Sequence, residues 1–303
     1  MEKTFMTNIL VTGSGGQLGS ELQYLVENQI FDTTDMTFFF MDKSSLDVTD
    51  HQIVREFAIS NAVDLIINCA AYTAVDKAED NLVLADALNR EAVKHLAKIA
   101  LEKDIALIHI STDYVYDGTS HKPYTEEDPS NPQGIYSKTK LAGEEEIRQI
   151  NPANTIIIRT SWVYSSFGSN FVKTMLKLCK ERDELDLISD QVGTPTYARD
   201  LAKAILHIIQ HPKKPQENIE IYHFSNEGGC SWYDFAKTIF ELSHIDCKVN
   251  PIDTEEYPTP AKRPYYSLLS KSKIKKDYQL TIPYWRDSLK ECLQAIAKNK
   301  PKV

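Results

Sequence analysis

The sequence predicts an α/β fold in which a doubly wound parallel sheet is followed by a smaller C-terminal lobe. Three observations support this prediction: short apolar runs alternate with helical patterns, a glycine cluster follows the first run, and the pattern changes after about residue 162. Strands that alternate with helices favour parallel pairing. The chain has 303 residues, enough for one or two domains of ordinary size.

Five runs in the first half predict the strands of the sheet. Each is apolar on consecutive residues rather than on every second one, so helices should cover both faces of the sheet. The runs are NILVT at 8–12, TFFFM at 37–41, DLIINC at 64–69, IALIHI at 105–110 and TIIIR at 155–159. From Leu82 to Lys103, apolar residues recur every three to four positions, which predicts one helix packed on the sheet.

The second half contains more irregular sequence. Proline-containing stretches at 211–218 and 255–266 predict loops. Between and around them the sequence predicts a strand at 221–225 and helices near 168–181, 197–210, 231–243 and 284–298. We expect residues 1–165 to form one domain and residues 166–303 a lobe that supplies a substrate pocket, with some segments returning to the main sheet.

Composition excludes several classes of function. The net charge is −9, from 34 basic and 43 acidic residues, and no long basic run is present to bind a nucleic acid backbone. No apolar segment is long enough to span a bilayer, and the first residues lack the pattern of a signal peptide. The five cysteines are scattered, without the spacing of a metal site or a disulfide framework. We therefore expect a cytoplasmic protein with no metal, membrane or nucleic acid polymer as partner.

The glycine cluster TGSGGQLG at 12–19 lies between the first strand and the helical pattern ELQYLVEN. Without side chains, the backbone at Gly13 and Gly16 can turn sharply and approach a pyrophosphate, whose charge is met by N–H groups at the helix N-terminus. This placement predicts a dinucleotide site in the first domain. The alternative is a glycine-rich turn that binds no ligand.

Two further segments are candidates for contact with the same cofactor. Asp42 and Lys43 follow the second strand; an acidic residue there can bind ribose hydroxyls and favours NADH, whereas Lys43 can accommodate the 2'-phosphate of NADPH. The choice stays open, and a solvated turn is the alternative. Ala70, Ala71 and Tyr72 end another strand, where small residues would let a cofactor lie against the backbone, although core packing explains two alanines nearly as well.

Tyr136 and Lys140 are the candidates for proton transfer. They are four residues apart, so on a helix they share one face. A tyrosine with its ordinary pKa near 10 is a poor proton-transfer group at neutral pH, and a neighbouring ammonium is expected to lower that pKa. The same lysine can bind the nicotinamide ribose.

The spacing alone is weak, because Tyr233 and Lys237 share it. Position separates the two pairs. Tyr136 follows a strand that ends in Thr112 and Asp113, where parallel sheets bind ligands. Tyr233 lies among apolar residues and is typical of a packing helix.

These residues occur in motifs that resemble the extended short-chain dehydrogenase/reductase family. The motifs include TGSGGQLGSEL, LDVTD, CAAYTAVDKAE, STDYVYDG, YSKTKLAGE, RTSWVYSSFGSNFV, SDQVGTPTYARDLA and GGCSWYDFA, and they span most of the chain in order. The resemblance implies a Rossmann-like fold, NADPH or NADH as cofactor and a nucleotide sugar as substrate. More narrowly, it implies reduction of the C4 keto group of dTDP-4-dehydro-L-rhamnose, with a homodimer as one option for the oligomeric state.

The resemblance also implies a role for each candidate residue. Catalysis is assigned to Thr112, Tyr136 and Lys140, with Thr112 replacing the serine common in the wider family and stabilising charge on the reacting oxygen. Cofactor contacts are assigned to Gly13, Gly16, Gln17, Leu18, Asp42, Asp47, Val48, Ala70, Ala71, Tyr72, Tyr136 and Lys140. Substrate contacts are assigned to Thr112, Asp113 and Trp162, with Asn170, Gln191 and Arg263 as weaker candidates.

Two alternatives share these motifs. A sugar-nucleotide 4,6-dehydratase needs an Asp-Glu pair after the threonine, whereas here Asp113 is followed by Tyr114. A non-catalytic regulatory subunit would use the fold only for binding and has no chemical reason to keep Thr112, Tyr136 and Lys140 together.

Overall fold

A six-stranded parallel sheet forms the centre of the protein in the computed structural model, which describes residues 7–213 and 219–298. The strands in chain order are β1 Thr7–Thr12, β2 Met36–Met41, β3 Leu65–Asn68, β4 Ala106–Thr112, β5 Thr155–Thr160, β6 Val163–Tyr164, β7 Glu184–Ile188, β8 Val192–Gly193, β9 Thr196–Tyr197, β10 Glu220–Phe224, β11 Cys230–Ser231 and β12 Lys248–Ile252. The main sheet has the order β10-β5-β4-β3-β1-β2. All five strands predicted in the first half are confirmed, and the strand predicted at 221–225 is β10.

Helices cover both faces of this sheet. They are α1 Gln17–Glu27, α2 His51–Ser60, α3 Val75–Asp80, α4 Leu82–Asp86, α5 Ala92–Lys103, α6 Ile135–Ile150, α7 Phe171–Leu178, α8 Ala198–Gln210, α9 Trp232–Leu242, α10 Ser272–Tyr278 and α11 Trp285–Lys298. One apolar cluster packs α1 and α8 on the sheet through residues such as Leu22 and Leu201. Another packs α2 and α5 on the opposite face through Val54 and Leu96. Burial on both faces explains the continuous apolar runs and confirms the doubly wound fold.

The single helix predicted from Leu82 to Lys103 is interrupted. A π-helical turn, Ala87–Glu91, separates α4 from α5 and contains the fully buried Asn89. The Asn89 side chain accepts a hydrogen bond from the Tyr72 backbone N–H at 2.9 Å and donates to the Tyr72 carbonyl and the Thr139 hydroxyl. A π turn bonds residues five positions apart, only one more than an α-helix. Apolar residues spaced by four, such as Leu84, Leu88 and Ala92, fit either turn, so the periodicity could not reveal it.

The second half of the chain adds a smaller unit with its own core. Three pairs of short strands, β6 with β9, β7 with β12 and β8 with β11, pack with α7, α9 and α11 around Val172, Phe235 and Leu289. One strand of this half, β10, extends the main sheet by pairing with β5.

A buried ion pair joins α1 to the second half of the chain. The Glu21 carboxylate is fully buried and accepts hydrogen bonds from Arg199 Nε at 2.7 Å and from Ser165 Oγ at 2.6 Å. The Arg199 guanidinium also lies over the Tyr24 ring, 4.3 Å from its centroid. The helix that follows the glycine cluster is therefore held by residues from the C-terminal half.

Some predicted segments lie outside the described residues. These are residues 214–218 of the predicted loop at 211–218, and residues 1–6 and 299–303 at the ends of the two predicted domains. Of the helices in 7–213 and 219–298, none has both the length and the apolar character needed to cross a membrane.

Candidate active site

Two adjoining cavities lie at the carboxyl edge of the main sheet, where parallel sheets bind ligands. The first has a volume of about 480 Å³. Its walls include the predicted cofactor residues Gly13, Gly16, Asp42, Asp47, Val48, Ala70 and Ala71. The second has a volume of about 570 Å³. Its walls include Gly16, Gln17, Leu18, Thr112, Asp113, Tyr136, Lys140, Trp162 and Asn170. Since Gly16, Cys69 and Ala71 line both, the cavities form one continuous groove.

The glycine cluster brings its backbone close to β3 and to the start of α1. Gly13 has a φ of +67°, and a Cβ there would lie 2.6 Å from the Ala70 nitrogen. A Cβ on Gly19, in the first turn of α1, would lie 2.5 Å from the Ser14 Cα. Because no side chain fits at these two positions, the helix N-terminus stays close to the loop, as the binding of a dinucleotide pyrophosphate requires. The cradle therefore fits the cofactor predicted from the sequence.

Asp42 organises the turn at the far end of the first cavity. Its Oδ1 accepts hydrogen bonds from the backbone N–H and the hydroxyl of both Ser44 and Ser45, at 2.7–2.9 Å. The Ser44 hydroxyl, followed by Ser45, lowers the pKa of Asp42 to about 2. Thr49 acts in the same way on Asp47, whose pKa is also lowered. Both carboxylates are thus negative at neutral pH where they line the cavity, and the turn interpretation of Asp42 is compatible with a ribose contact.

Helix α6 holds Tyr136 and Lys140 in the second cavity. Glu79 on α3 caps the start of the helix, because its Oε1 accepts the Ile135 N–H at 2.8 Å. Deeper in α6, a Cβ on Gly143 would lie only 2.1 Å from the Asn89 carbonyl oxygen. The glycine therefore lets α6 pack closely on the π-helical turn, which fixes the height of Tyr136 and Lys140 above the sheet.

The electrostatics of this pair differ from the expectation. Burial raises the pKa of Tyr136 to about 12, and the nearby Thr112 hydroxyl only partly opposes this shift. Lys140 is buried, its Nζ donates to the Ile110 carbonyl at 2.6 Å, and burial lowers its pKa to about 8 against the opposing charges of Glu144 and Cys69. The predicted lowering of the Tyr136 pKa is therefore wrong for the protein without ligands. Desolvation of the phenol dominates, and the Lys140 ammonium is hydrogen-bonded to the backbone of β4.

Thr112 and Asp113 form the floor of the cavity beside the tyrosine. The Thr112 hydroxyl donates to Asp113 Oδ1 at 3.0 Å and accepts the Tyr114 N–H, which starts a short 3₁₀ turn at Asp113–Val115. Burial raises the pKa of Asp113 to about 7. The ring of Tyr114 meets that of Tyr136 edge to face, with centroids 6.0 Å apart.

Trp162 forms part of an aromatic wall of the second cavity. Its φ is +47°, a left-handed conformation that is rare for a bulky residue and is concentrated at functional sites. Its ring stacks on Trp232 with centroids 3.5 Å apart, and Trp232 and Phe171 also line the cavity. Sequence reasoning missed Trp232, because its helix has the apolar pattern of a packing element.

Several predicted site residues bond to protein partners. Gln17 Oε1 accepts from Asn170 Nδ2 at 2.9 Å, so a predicted cofactor contact and a predicted substrate contact are bonded across the groove. Both nitrogens of the Arg263 fork pair with the Asp76 carboxylate at 2.6 Å. Gln191 is buried and donates to Thr254 Oγ1. Tyr72, Gln191 and Arg263 are not among the described residues that line the two cavities. Their contacts with a ligand stay predictions.

Comparison with known proteins identifies the family of the chain. A family model described as RmlD substrate binding domain matches residues 6–298. The chain belongs to this family. An RmlD relative, the dTDP-4-dehydrorhamnose reductase of Aggregatibacter actinomycetemcomitans, is 40% identical over 94% of this chain and 98% of its own length.

Solved structures of RmlD relatives agree with the fold. A dTDP-4-dehydrorhamnose reductase from Clostridium acetobutylicum is 42% identical, with a TM-score of 0.88 over 96% of this chain and 100% of its own. The Bacillus anthracis enzyme of the same name, in complex with NADP, is 35% identical with a TM-score of 0.88, over 96% of this chain and 99% of its own. The resemblance seen in the motifs is thereby confirmed.

Proposed function

We propose that this chain is a dTDP-4-dehydrorhamnose reductase, which converts dTDP-4-dehydro-L-rhamnose to dTDP-L-rhamnose for cell-surface polysaccharide synthesis. The observation that carries the proposal is that Thr112, Tyr136 and Lys140 line one groove with the glycine cluster, in a chain about 40% identical to reductases of that name.

The first cavity would hold NADPH or NADH. Gly13, Gly16, Gln17 and Leu18 would bind the pyrophosphate at the N-terminus of α1, where free N–H groups and the helix dipole favour an anion. Asp42, Asp47 and Val48 would hold the adenosine end, and Ala70, Ala71 and Tyr72 the middle. When bound, the nicotinamide supplies hydride.

Three residues would act on the sugar carbonyl. Tyr136 donates its proton to the oxygen of the C4 carbonyl as that oxygen gains charge, and Thr112 donates a hydrogen bond to the same oxygen. A phenol whose pKa is raised by burial to about 12 is protonated at neutral pH but is a weaker acid than a free tyrosine, so it would need positive charge beside the phenolate to give up its proton. Lys140 holds the nicotinamide ribose and supplies positive charge when Tyr136 becomes a phenolate.

The remaining candidates would bind the sugar nucleotide. Asp113 would contact a sugar hydroxyl, and Trp162 would cover an apolar face of the sugar or the base. Arg263 suits a diphosphate, but it would have to leave its ion pair with Asp76 to reach one. Asn170 and Gln191 would contribute polar contacts.

We also propose the arrangement of the whole chain. Residues 1–165 would form the NAD(P)-binding domain and residues 166–303 the substrate-binding lobe, with β10 returning to the main sheet. The enzyme would act in the cytoplasm, where its nucleotide substrates are made, and a homodimer is the oligomeric state to test first.

An absorbance assay tests the activity. Loss of NADPH absorbance with enzymatically made dTDP-4-dehydrorhamnose is expected for the wild type, and Tyr136→Phe should lower turnover by roughly 10²- to 10⁴-fold while cofactor affinity stays nearly unchanged. Tyr233→Phe is the matched control, since Tyr233 and Lys237 have the same spacing on α9.

Two outcomes would contradict the proposal. A dehydratase would consume dTDP-glucose without net use of cofactor. Equal loss of turnover and cofactor binding in Tyr136→Phe would remove this residue as the acid.

A further inference from the structure

A buried chain of hydrogen bonds runs beneath the groove and ends at Lys140. Thr12 Oγ1 donates to Asn68 Oδ1 at 2.8 Å, and Asn68 Nδ2 lies 3.0 Å from His109 Nδ1. His109 Nε2 in turn lies 3.3 Å from Lys140 Nζ. These four residues come from β1, β3, β4 and α6 and are each at most 2% exposed.

The orientation of the Asn68 amide determines where His109 carries its proton. The Ala70 backbone N–H, which can only donate, points at the same Asn68 oxygen at 3.2 Å. The oxygen must therefore face Ala70 and Thr12, so the amide nitrogen faces His109 and donates to Nδ1. Burial, with the charge of Lys140, lowers the pKa of His109 well below its usual value. The imidazole is thus neutral, and its one proton is on Nε2.

This tautomer directs an N–H at the catalytic lysine. A charged ammonium has three donors and no acceptor, whereas an uncharged amine offers a lone pair. The His109 Nε2–H can therefore donate a hydrogen bond to Lys140 Nζ only when the lysine is uncharged. The titratable groups that face Lys140 are Glu144 on α6, Cys69 after β3 and His109 on β4. Of these, Glu144 and Cys69 favour the charged lysine, so His109 acts against both.

We propose that His109 is a positioning residue of the reductase: through Nε2–H it stabilises uncharged Lys140, and it thereby sets the pH above which the lysine loses the positive charge that it supplies to the site. The inference rests on the proposed function for its role in turnover, but the tautomer and the lysine titration do not depend on it.

Nitrogen-15 NMR of the full-length protein tests the geometry without any activity. The His109 shifts should report a proton on Nε2. The Lys140 Nζ resonance, assigned by its loss in Lys140→Met, should titrate near pH 8 and should move up by about one pH unit in His109→Asn, a tenfold change in acid dissociation. His109→Gln, which restores a donor near Nε2, should move the midpoint back. A proton on Nδ1, or an unchanged midpoint in His109→Asn, would overturn the proposal.

His223→Asn is the matched control. His223 is also fully buried on a parallel strand of the main sheet, but its Nε2 bonds to the Tyr116 hydroxyl, so its loss should leave the Lys140 midpoint unchanged. In kinetics, the alkaline limb of the pH profile for kcat/KM should follow the NMR midpoint in each variant. If the NMR results are as expected but the protein has no reductase activity, the proposed function is refuted and the His109–Lys140 contact still stands. If the alkaline limb of the kcat/KM profile does not move with the NMR midpoint, the role of His109 in turnover is refuted.

Discussion

Removing the charge of Glu21 should loosen the attachment of α1 to the C-terminal half. The Glu21 carboxylate is fully buried and bonds to Arg199 and Ser165, while the Arg199 side chain is 15% exposed. Glu21→Gln keeps the length and shape of the side chain but leaves the guanidinium without a counter-ion. The loss should therefore appear as lower stability.

The magnitude follows from the type of contact. Breaking a buried ion pair by removing one partner costs about 3–5 kcal/mol. The lower end applies here, because Arg199 retains some exposure and lies over the Tyr24 ring. With an unfolding entropy of roughly 2.1 cal/mol/K per residue over 303 residues, a loss of about 3 kcal/mol lowers Tm by about 5 °C.

Thermal unfolding followed by circular dichroism measures this change. Glu27→Gln is the control, since Glu27 lies on the same helix, is exposed, and accepts a bond from Gln23; its effect should stay within about 0.5 kcal/mol. The reasoning is refuted if Glu21→Gln lowers Tm by less than 1 °C or by no more than Glu27→Gln.

Three further perturbations have expected outcomes. Gly143→Ala should lower the free energy of chemical unfolding by about 1–3 kcal/mol, because its Cβ would meet the Asn89 carbonyl oxygen. Glu145→Ala, at an exposed position of the same helix, should leave that free energy unchanged, and equal stabilities of the two variants would contradict the packing argument. Asp42→Asn should raise the ratio of the NADH Kd to the NADPH Kd by about tenfold in fluorescence titrations, since loss of the carboxylate weakens the ribose contact and spares the 2'-phosphate; an unchanged ratio would remove Asp42 from the site. Asp113 has a folded pKa of about 7, raised above its unfolded value, so its burial costs stability increasingly as pH rises towards 7. Asp113→Asn should therefore stabilise the protein by roughly 2–3 kcal/mol more at pH 8.5 than at pH 5, and a pH-independent difference would refute this assignment.

The strands of the main sheet could be predicted because burial on both faces leaves an unmistakable apolar run. The glycine cluster could be placed for a similar local reason, since Gly13 and Gly19 lie where the backbone approaches other backbone. The interruption at Ala87–Glu91 could not be predicted, because the apolar residues of this segment are spaced by four, which fits an α turn and a π turn alike.

The placement of Tyr136 and Lys140 on one cavity wall could be predicted, because their spacing within one helix sets it. Contacts made between distant segments could not be. The stacking of Trp162 on Trp232, the pairing of Arg263 with Asp76 and the position of His109 beneath Lys140 all depend on which loops meet in space. The direction of the tyrosine pKa was also wrong, because depth of burial is a property of the folded protein.

The edge strand β10 has a consequence for how the polypeptide can be divided. Its residues, Glu220–Phe224, pair with Ile156–Thr160 of β5, although they belong to the second half of the sequence. A truncated product that stopped near residue 165 would expose the backbone amides and carbonyls of β5 to solvent. An exposed strand edge favours intermolecular strand addition and aggregation. Expression of the chain as two fragments divided near residue 165 should therefore yield insoluble protein unless both fragments are produced together.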